Sequence, residues 1–263
     1  MAGMKFATVG QVTLHYSREG SNTGVPLVFI NSLGTDLRIW DQLISSFSGR
    51  LPIIRYDKRG HGLSDCPPGP YSIGDLSNDL INLLAYLEID QIVLVGISVG
   101  GMIALDLAIR QPERIQALVL SDTAAKIGTT AYWKERIDAI QARGMDSMAE
   151  VILSRWFVPE FPAQRPADYQ GYRNMLTRMP VAGYSGTCAA IRDADLRAAV
   201  GTIQVKTLVL CGAEDSATSP ELVRGLADAL PDGRFEVIEK AGHLPCVEQP
   251  EAMAAKIDRF LRE

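Results

Sequence analysis

Apolar residues along this chain fall into two alternating patterns, continuous short runs and longer stretches that repeat at helical spacing. A continuous β-branched run predicts a strand covered on both faces, and recurrence at i, i+3, i+4 and i+7 predicts a helix with one buried side. Phe6 to Val9 and Val12 to Tyr16 predict an N-terminal hairpin, and Pro26 to Asn31 an apolar strand ending in Ser32-Leu33-Gly34. A helix is expected from about Leu37 to Phe47, with Asp36 placed to cap it. Leu51 to Tyr56 is the next strand and runs into the turn Asp57-Lys58-Arg59-Gly60-His61-Gly62. Ile73, Leu76, Leu80, Leu83, Leu84 and Leu87 share one helical face. Gln91 to Ile97 reads as a buried strand, Met102 to Arg110 as a buried helix ended by Gln111-Pro112, and Ile115 to Leu120 as another strand.

The pattern then changes. From about Ala124 to Asp195 no strand-like run occurs. Helical segments are expected around Trp133–Ala142, Met148–Phe157, Asp168–Arg178 and Gly183–Ile191, punctuated by Gly144, Pro159, Pro162, Pro166 and Pro180. Val205 to Cys211 resumes the buried-strand pattern. Ser219 and Pro220 open a helix as N-cap and first-turn residue, Arg234 to Ile238 is a final strand, and Pro250 to Leu261 a final helix. Strands alternating with helices imply an α/β fold, a mostly parallel sheet covered by helices on both faces. Residues 1–123 and 196–263 are expected to form its core, and 124–195 a helical lid inserted over the strand ends. Ligands bind such sheets in the loops beyond the strand carboxyl ends, here the loops after Asn31, Ser98, Cys211 and Ile238.

Composition narrows the class. With 263 residues, 47% of them hydrophobic, the chain supports one domain, or one domain with a sizeable insertion. A net charge of -5 argues against nucleic-acid and membrane-surface partners. No apolar run reaches bilayer length, and Met1-Ala2-Gly3-Met4-Lys5-Phe6 lacks the apolar core of a signal peptide. Cys66, Cys188, Cys211 and Cys246 show no CxxC spacing and no partnering His, so neither a metal nor a disulfide is expected and a reducing cytoplasm fits. There is no GxGxxG, no P-loop and no internal repeat. These patterns are silent on oligomeric state.

The stretch that carries chemistry is Val93-Leu94-Val95-Gly96-Ile97-Ser98-Val99-Gly100-Gly101. A Gly-x-Ser-x-Gly between a buried strand and a helix is the layout of a nucleophile elbow. Side chains two before and two after the serine would collide in so sharp a turn, and Gly96 and Gly100 remove that collision. The helix N-terminus that follows is aimed at the same spot, where an oxyanion would develop. The elbow therefore implies a serine-nucleophile hydrolase.

A serine hydroxyl needs a general base, and the chain has only three histidines. His15 lies in the N-terminal hairpin and reads as structural; His61 lies in a turn-rich loop that it can brace by hydrogen bonds. His243, in Ala241-Gly242-His243-Leu244-Pro245 just after the last strand, is the candidate base, following the chain order Ser, acid, His. Asp215, at the strand end in Cys211-Gly212-Ala213-Glu214-Asp215, is the candidate acid, with Glu214 and Asp122 as rivals. Its task is to fix the His243 tautomer and stabilise the imidazolium. The oxyanion donors are expected to be the backbone N–H groups of Val99 and Leu33.

The chain resembles the α/β-hydrolase superfamily over essentially its whole length. The matching marks are Gly96-Ile97-Ser98-Val99-Gly100-Gly101, Asp57-Lys58-Arg59-Gly60-His61-Gly62-Leu63-Ser64, Cys211-Gly212-Ala213-Glu214-Asp215 and Ala241-Gly242-His243. More narrowly it is similar to the 3-oxoadipate enol-lactonases of bacterial aromatic degradation. That likeness rests on Leu120–Gly128 before the lid, Ala189–Leu196 at its end and His243–Pro250. Many superfamily members carry His-Gly where this chain has Asn31-Ser32, and Asn31 is left to hold that loop by its side chain. The resemblance implies hydrolysis of 3-oxoadipate enol-lactone to 3-oxoadipate, with no metal or organic cofactor. The implied partner is a small lactone carrying a carboxylate, which a buried site must meet with a cation or several N–H groups. The lid offers Arg136, Arg143, Arg155, Arg165, Arg173, Arg178 and Arg192. Arg136 and Arg192, with Trp133 and Trp156 as pocket walls, form the candidate substrate-binding set; packing of the lid on itself is the other role open to the tryptophans. A carboxylesterase, a perhydrolase or a carbon–carbon bond hydrolase would use the same triad, and a ligand-binding signalling protein could keep the scaffold.

Overall fold

Strands that are apolar throughout must be covered on both faces, and the central strands of this chain are. β1 (Lys5–Val9), β2 (Val12–Gly20), β3 (Leu27–Ile30), β4 (Pro52–Tyr56), β5 (Ile92–Ile97), β6 (Ile115–Ser121), β7 (Thr207–Gly212) and β8 (Gly233–Ile238) form one eight-stranded sheet in the order β1-β2-β4-β3-β5-β6-β7-β8. β2 runs antiparallel to both β1 and β4, and every other pairing is parallel. All residues of β3, β4, β5 and β7 are buried. The computed structural model describes residues 4–47 and 49–263; Met1–Gly3, the start of the stretch read for a signal peptide, fall outside them.

The helices are α1 (Asp41–Ser45), α2 (Ile73–Tyr86), α3 (Val99–Arg110), α4 (Thr130–Arg143), α5 (Ala149–Trp156), α6 (Phe161–Gln164), α7 (Pro166–Thr177), α8 (Val181–Asp193), α9 (Pro220–Ala229), α10 (Pro245–Glu248) and α11 (Pro250–Arg262). α2 packs on α3, α1 on α11, and α9 on β7 and β8. Ser72 and Asp75 form a reciprocal capping box at the start of α2, and the Ser219 hydroxyl caps α9. Among the described residues no helix is long and apolar enough to cross a membrane.

Two expectations are corrected. The helix read over Leu37–Phe47 is a 3-10 turn, Leu37–Trp40, followed by the short α1. Its entry is held from outside: the Asp57 carboxylate accepts from Leu37 N at 2.8 Å, and Asp36 accepts from Arg38 N at 3.0 Å. The 124–195 segment holds an additional short helix, α6, where Pro162 and Pro166 divide the chain into two starts.

The helices α4–α8 lie in sequence between β6 and β7, and α4 packs against α8. This block meets the core at a glycine-to-glycine contact. A Cβ on Gly60 would come within 2.5 Å of Gly183 Cα, and one on Gly183 within 2.2 Å of the Gly60 carbonyl oxygen. α8 therefore approaches the β4–α2 loop closely, which places its other side chains over the strand ends.

Candidate active site

Ser98 stands between β5 and α3 with φ 58° and ψ -122°, a backbone conformation that costs about 1–3 kcal/mol and survives only where its surroundings impose it. Those surroundings are visible. A Cβ on Gly96 would lie 2.4 Å from the Gly100 carbonyl oxygen, and one on Gly100 would lie 2.1 Å from that of Ile30. Ser98 N donates to Ser121 O at 3.0 Å and Thr123 Oγ1 donates to Ser98 O at 2.7 Å, so the strained peptide is held on both sides. Val99 is the first residue of α3, where helix geometry leaves its N–H without an intrahelical acceptor.

His243 lies between β8 and α10, and its Nδ1 is 2.8 Å from Asp215 Oδ2. Thr218 Oγ1 donates to the same carboxylate oxygen at 2.6 Å, while Ala217 N and Thr218 N donate to Oδ1 at 2.7 and 3.1 Å. Burial works against the charged form of Asp215, but His243 and the Thr218 donors outweigh it and hold the carboxyl below its ordinary value. Of the rival acids, Glu214 is exposed and Asp122 points elsewhere, accepting from Gly212 N at 2.8 Å and from the Ser121 hydroxyl. Burial first, and then the charge of Asp215, push the Asp122 carboxyl well above its ordinary value. Asp122, Cys211 and Asp215 bring one potential ligand atom each within 4.8 Å of one another. Every carboxylate oxygen of that trio already accepts a protein hydrogen bond.

The other histidines sit apart. His15 pairs with Asp57 through Nδ1 at 2.7 Å. His61 is buried and accepts from Gly34 N at 3.2 Å, bracing the loop after β3 from the loop after β4. Asn31 Nδ2 donates to Thr35 O across that same loop.

Ser98 and His243 open onto one cavity of about 330 Å³ between the sheet end and the α4–α8 block. Ser32, Leu33 and Thr218 line it from the core; Trp133, Arg136, Ile152, Arg155, Trp156 and Tyr184 line it from the helical block. Both tryptophans named from sequence are therefore walls, and Trp133 also donates from Nε1 to Ile127 O at 2.7 Å. Arg136 lies with its guanidinium carbon 5.6 Å from the Trp133 ring centroid and 5.7 Å from that of Tyr184. Arg136 and Arg155 both donate to the Tyr132 hydroxyl, at 2.5 and 2.9 Å. Among the described residues neither meets a carboxylate, and the buried Arg136 Nε has no partner.

Arg192 is corrected. It lies outside the cavity lining and forms a two-pronged pair with the neighbouring Asp193, 2.7 Å at each contact. Arg165 and Arg173 are likewise spent on Asp168 and on Asp146 and Glu150. Arg155 is one of the seven arginines that the sequence offers for the carboxylate, but sequence reasoning passed over Thr218 and Tyr184. Only Thr218 left a signal, a hydroxyl three residues after a strand-end acid, where it can bond back to that acid.

A strained serine on a strand–helix elbow, a buried histidine–aspartate pair and an eight-stranded, mostly parallel sheet define an α/β-hydrolase, and the chain belongs to that family. The sequence pattern of the α/β hydrolase fold matches residues 25–250. Among its relatives is 3-oxoadipate enol-lactonase 2 of Acinetobacter baylyi, 36% identical over 255 residues that cover 97% of this chain and 95% of that one. The crystal structure of the enol-lactonase from Burkholderia xenovorans LB400 superposes with a TM-score of 0.96 at 34% identity, covering 98% of this chain and 100% of that one. A thermophilic esterase from Thermogutta terrifontis superposes at 0.92 with 27% identity, covering 99% and 98%.

Proposed function

We propose that this hydrolase opens 3-oxoadipate enol-lactone to 3-oxoadipate, a step in the β-ketoadipate route of aromatic catabolism. The observation that carries the reading is the pair Arg136 and Arg155, two cations facing the same cavity as Ser98 without a carboxylate partner among the described residues. A buried cation without a counter-charge is costly, and an anionic ligand relieves that cost. A small lactone with a carboxylate arm supplies the anion for the arginines and the acyl carbon for the serine. The likeness to two enol-lactonases supports the choice of ring.

In this reading Ser98 Oγ attacks the lactone carbonyl while His243 Nε2 takes its proton. Asp215 keeps Nδ1 protonated and stabilises the imidazolium. The Leu33 and Val99 N–H groups receive the oxyanion. Collapse breaks the ring C–O bond and expels an enolate, which takes the proton from His243 and becomes a ketone. Water then enters, His243 removes its proton, and hydrolysis of the ester to Ser98 releases 3-oxoadipate. The net change is addition of one water, so the reaction calls for no cofactor.

The test is loss of the enol-lactone's ultraviolet absorbance on addition of enzyme. Turnover of many equivalents is expected, with neutral lactones of the same ring size processed far more slowly. Equal rates on neutral and acidic lactones would replace the reading with a general esterase, and binding without turnover would indicate a ligand-binding scaffold.

A further inference from the structure

Lys58 is fully buried on the loop after β4, and among the described residues it forms no ion pair. The neighbouring acids are engaged elsewhere: Asp57 holds His15, Leu37 N and Leu63 N, and Asp36 holds Arg38. Burial pushes the Lys58 ammonium down to about 7, against the opposing pull of Asp57 and Asp36. A lysine kept in so unfavourable a place needs a function, and the reaction scheme above gives it none.

Among the described residues its ammonium makes one hydrogen bond, and that bond shows what it does. Lys58 Nζ donates to Ser32 O at 2.7 Å, and Thr35 adds Oγ1 at 3.0 Å and N at 3.4 Å to the same carbonyl. Ser32 O and Leu33 N belong to one planar trans peptide, so their bonds point in opposite directions. A carbonyl tied down toward Lys58 sends the Leu33 N–H the other way, and both residues line the cavity beside Ser98. A donor on the carbonyl also polarises the peptide and strengthens its N–H as a donor.

We propose that Lys58 is a positioning residue for the oxyanion site: by holding the Ser32 carbonyl it aims and polarises the Leu33 N–H toward the oxyanion formed at Ser98. His61 does the lesser task of fixing the next peptide, through Gly34 N. The inference rests on the serine-hydrolase reading, though not on the identity of the lactone.

The experiment compares wild type, Lys58→Met, Lys58→Gln and Ser98→Ala on 4-nitrophenyl acetate, with inhibition by phenylboronic acid, which adds to the serine as a tetrahedral anion. Folding of each variant is checked by circular dichroism and thermal melting. Lys58→Met is expected to lower kcat by roughly ten- to a hundredfold, somewhat less than outright loss of an oxyanion donor. KM should stay within about twofold, and the boronate should weaken by the same factor as kcat. Lys58→Gln, whose amide can still donate to Ser32 O, should recover part of both losses. A folded Lys58→Met with kcat and boronate affinity within about twofold of wild type overturns the inference, and so does failure of both lysine variants to fold, which would make Lys58 a structural residue. An inert Ser98→Ala beside an unimpaired Lys58→Met overturns this inference alone; an active Ser98→Ala overturns the serine reading and the inference together.

Discussion

Asp122 and Asp215, from adjacent strand ends, place their carboxyls within 4.8 Å of each other, yet their surroundings push them in opposite directions from the ordinary carboxyl value. Against burial, His243 and Thr218 hold the Asp215 carboxyl below its ordinary value, while burial and the charge of Asp215 push the Asp122 carboxyl well above it. Two close buried carboxyls oppose each other's ionisation, and the one partnered by the histidine is the one whose charged form is favoured. Asn in place of Asp122 is nearly isosteric, removes a charge that its buried site disfavours and keeps an acceptor for Gly212 N, so Asp122→Asn is expected to change kcat by less than about tenfold. Asp215→Asn should cost roughly three to four orders of magnitude through the wrong His243 tautomer. Steady-state kinetics on both variants decides the assignment, and the reverse ranking would transfer the acid's role to Asp122.

Ser98→Ala should lower kcat by roughly four to six orders of magnitude while leaving ligand binding largely intact. Mass spectrometry after a fluorophosphonate should find the adduct on Ser98 and on no other residue. A label elsewhere, or near wild-type turnover in the variant, removes Ser98 as nucleophile.

Arg136→Met should raise KM for the carboxylated lactone by a factor on the order of ten to a hundred, the loss of a charge-assisted hydrogen bond. It should hardly affect a neutral aryl ester of similar size. Arg192→Ala, which breaks only the surface pair with Asp193, should leave both substrates unchanged. The two variants assayed on both esters separate a carboxylate reader from a merely structural arginine.

Lys58 also makes a prediction about stability. Its folded value of about 7 lies below the ordinary 10.5 of an unfolded lysine, so between these limits the unfolded chain holds the extra proton. Stability therefore rises with pH across that window, and the penalty of the buried ammonium is fully felt below pH 7. Lys58→Met lacks this group. Its denaturant midpoint, relative to wild type, should be highest near pH 6 and fall steadily toward pH 10. A midpoint difference that does not change with pH would show that Lys58 is not held at a lowered value.

What sequence alone determined here is local. The elbow was legible because Gly96, Ser98 and Gly100 act within a few residues, and a turn that tight admits little else. The alternation of buried strands and helices was legible because burial on two faces or on one writes its own period into the chain. Chain order then pointed to His243 and Asp215. The remaining choices depended on atoms brought together from far apart. Asp215 and Asp122 look alike in sequence, and only the hydrogen bond to His243 separates them. Arg136 and Arg192 both belong to the helical block between β6 and β7; one faces aromatic rings over the cavity while the other is spent on an adjacent aspartate. Glu248 holds Val158 N of the helical block and Gly242 N beside His243, at 2.8 and 2.7 Å, a tie that no spacing in the chain announces. In the sequence Lys58 is one residue of the turn Asp57–Gly62, and its burial against Ser32 O comes from the packing of two loops that follow different strands. Periodicity reports which side of an element is buried, but which donor meets which acceptor is decided only when the loops at the strand ends converge.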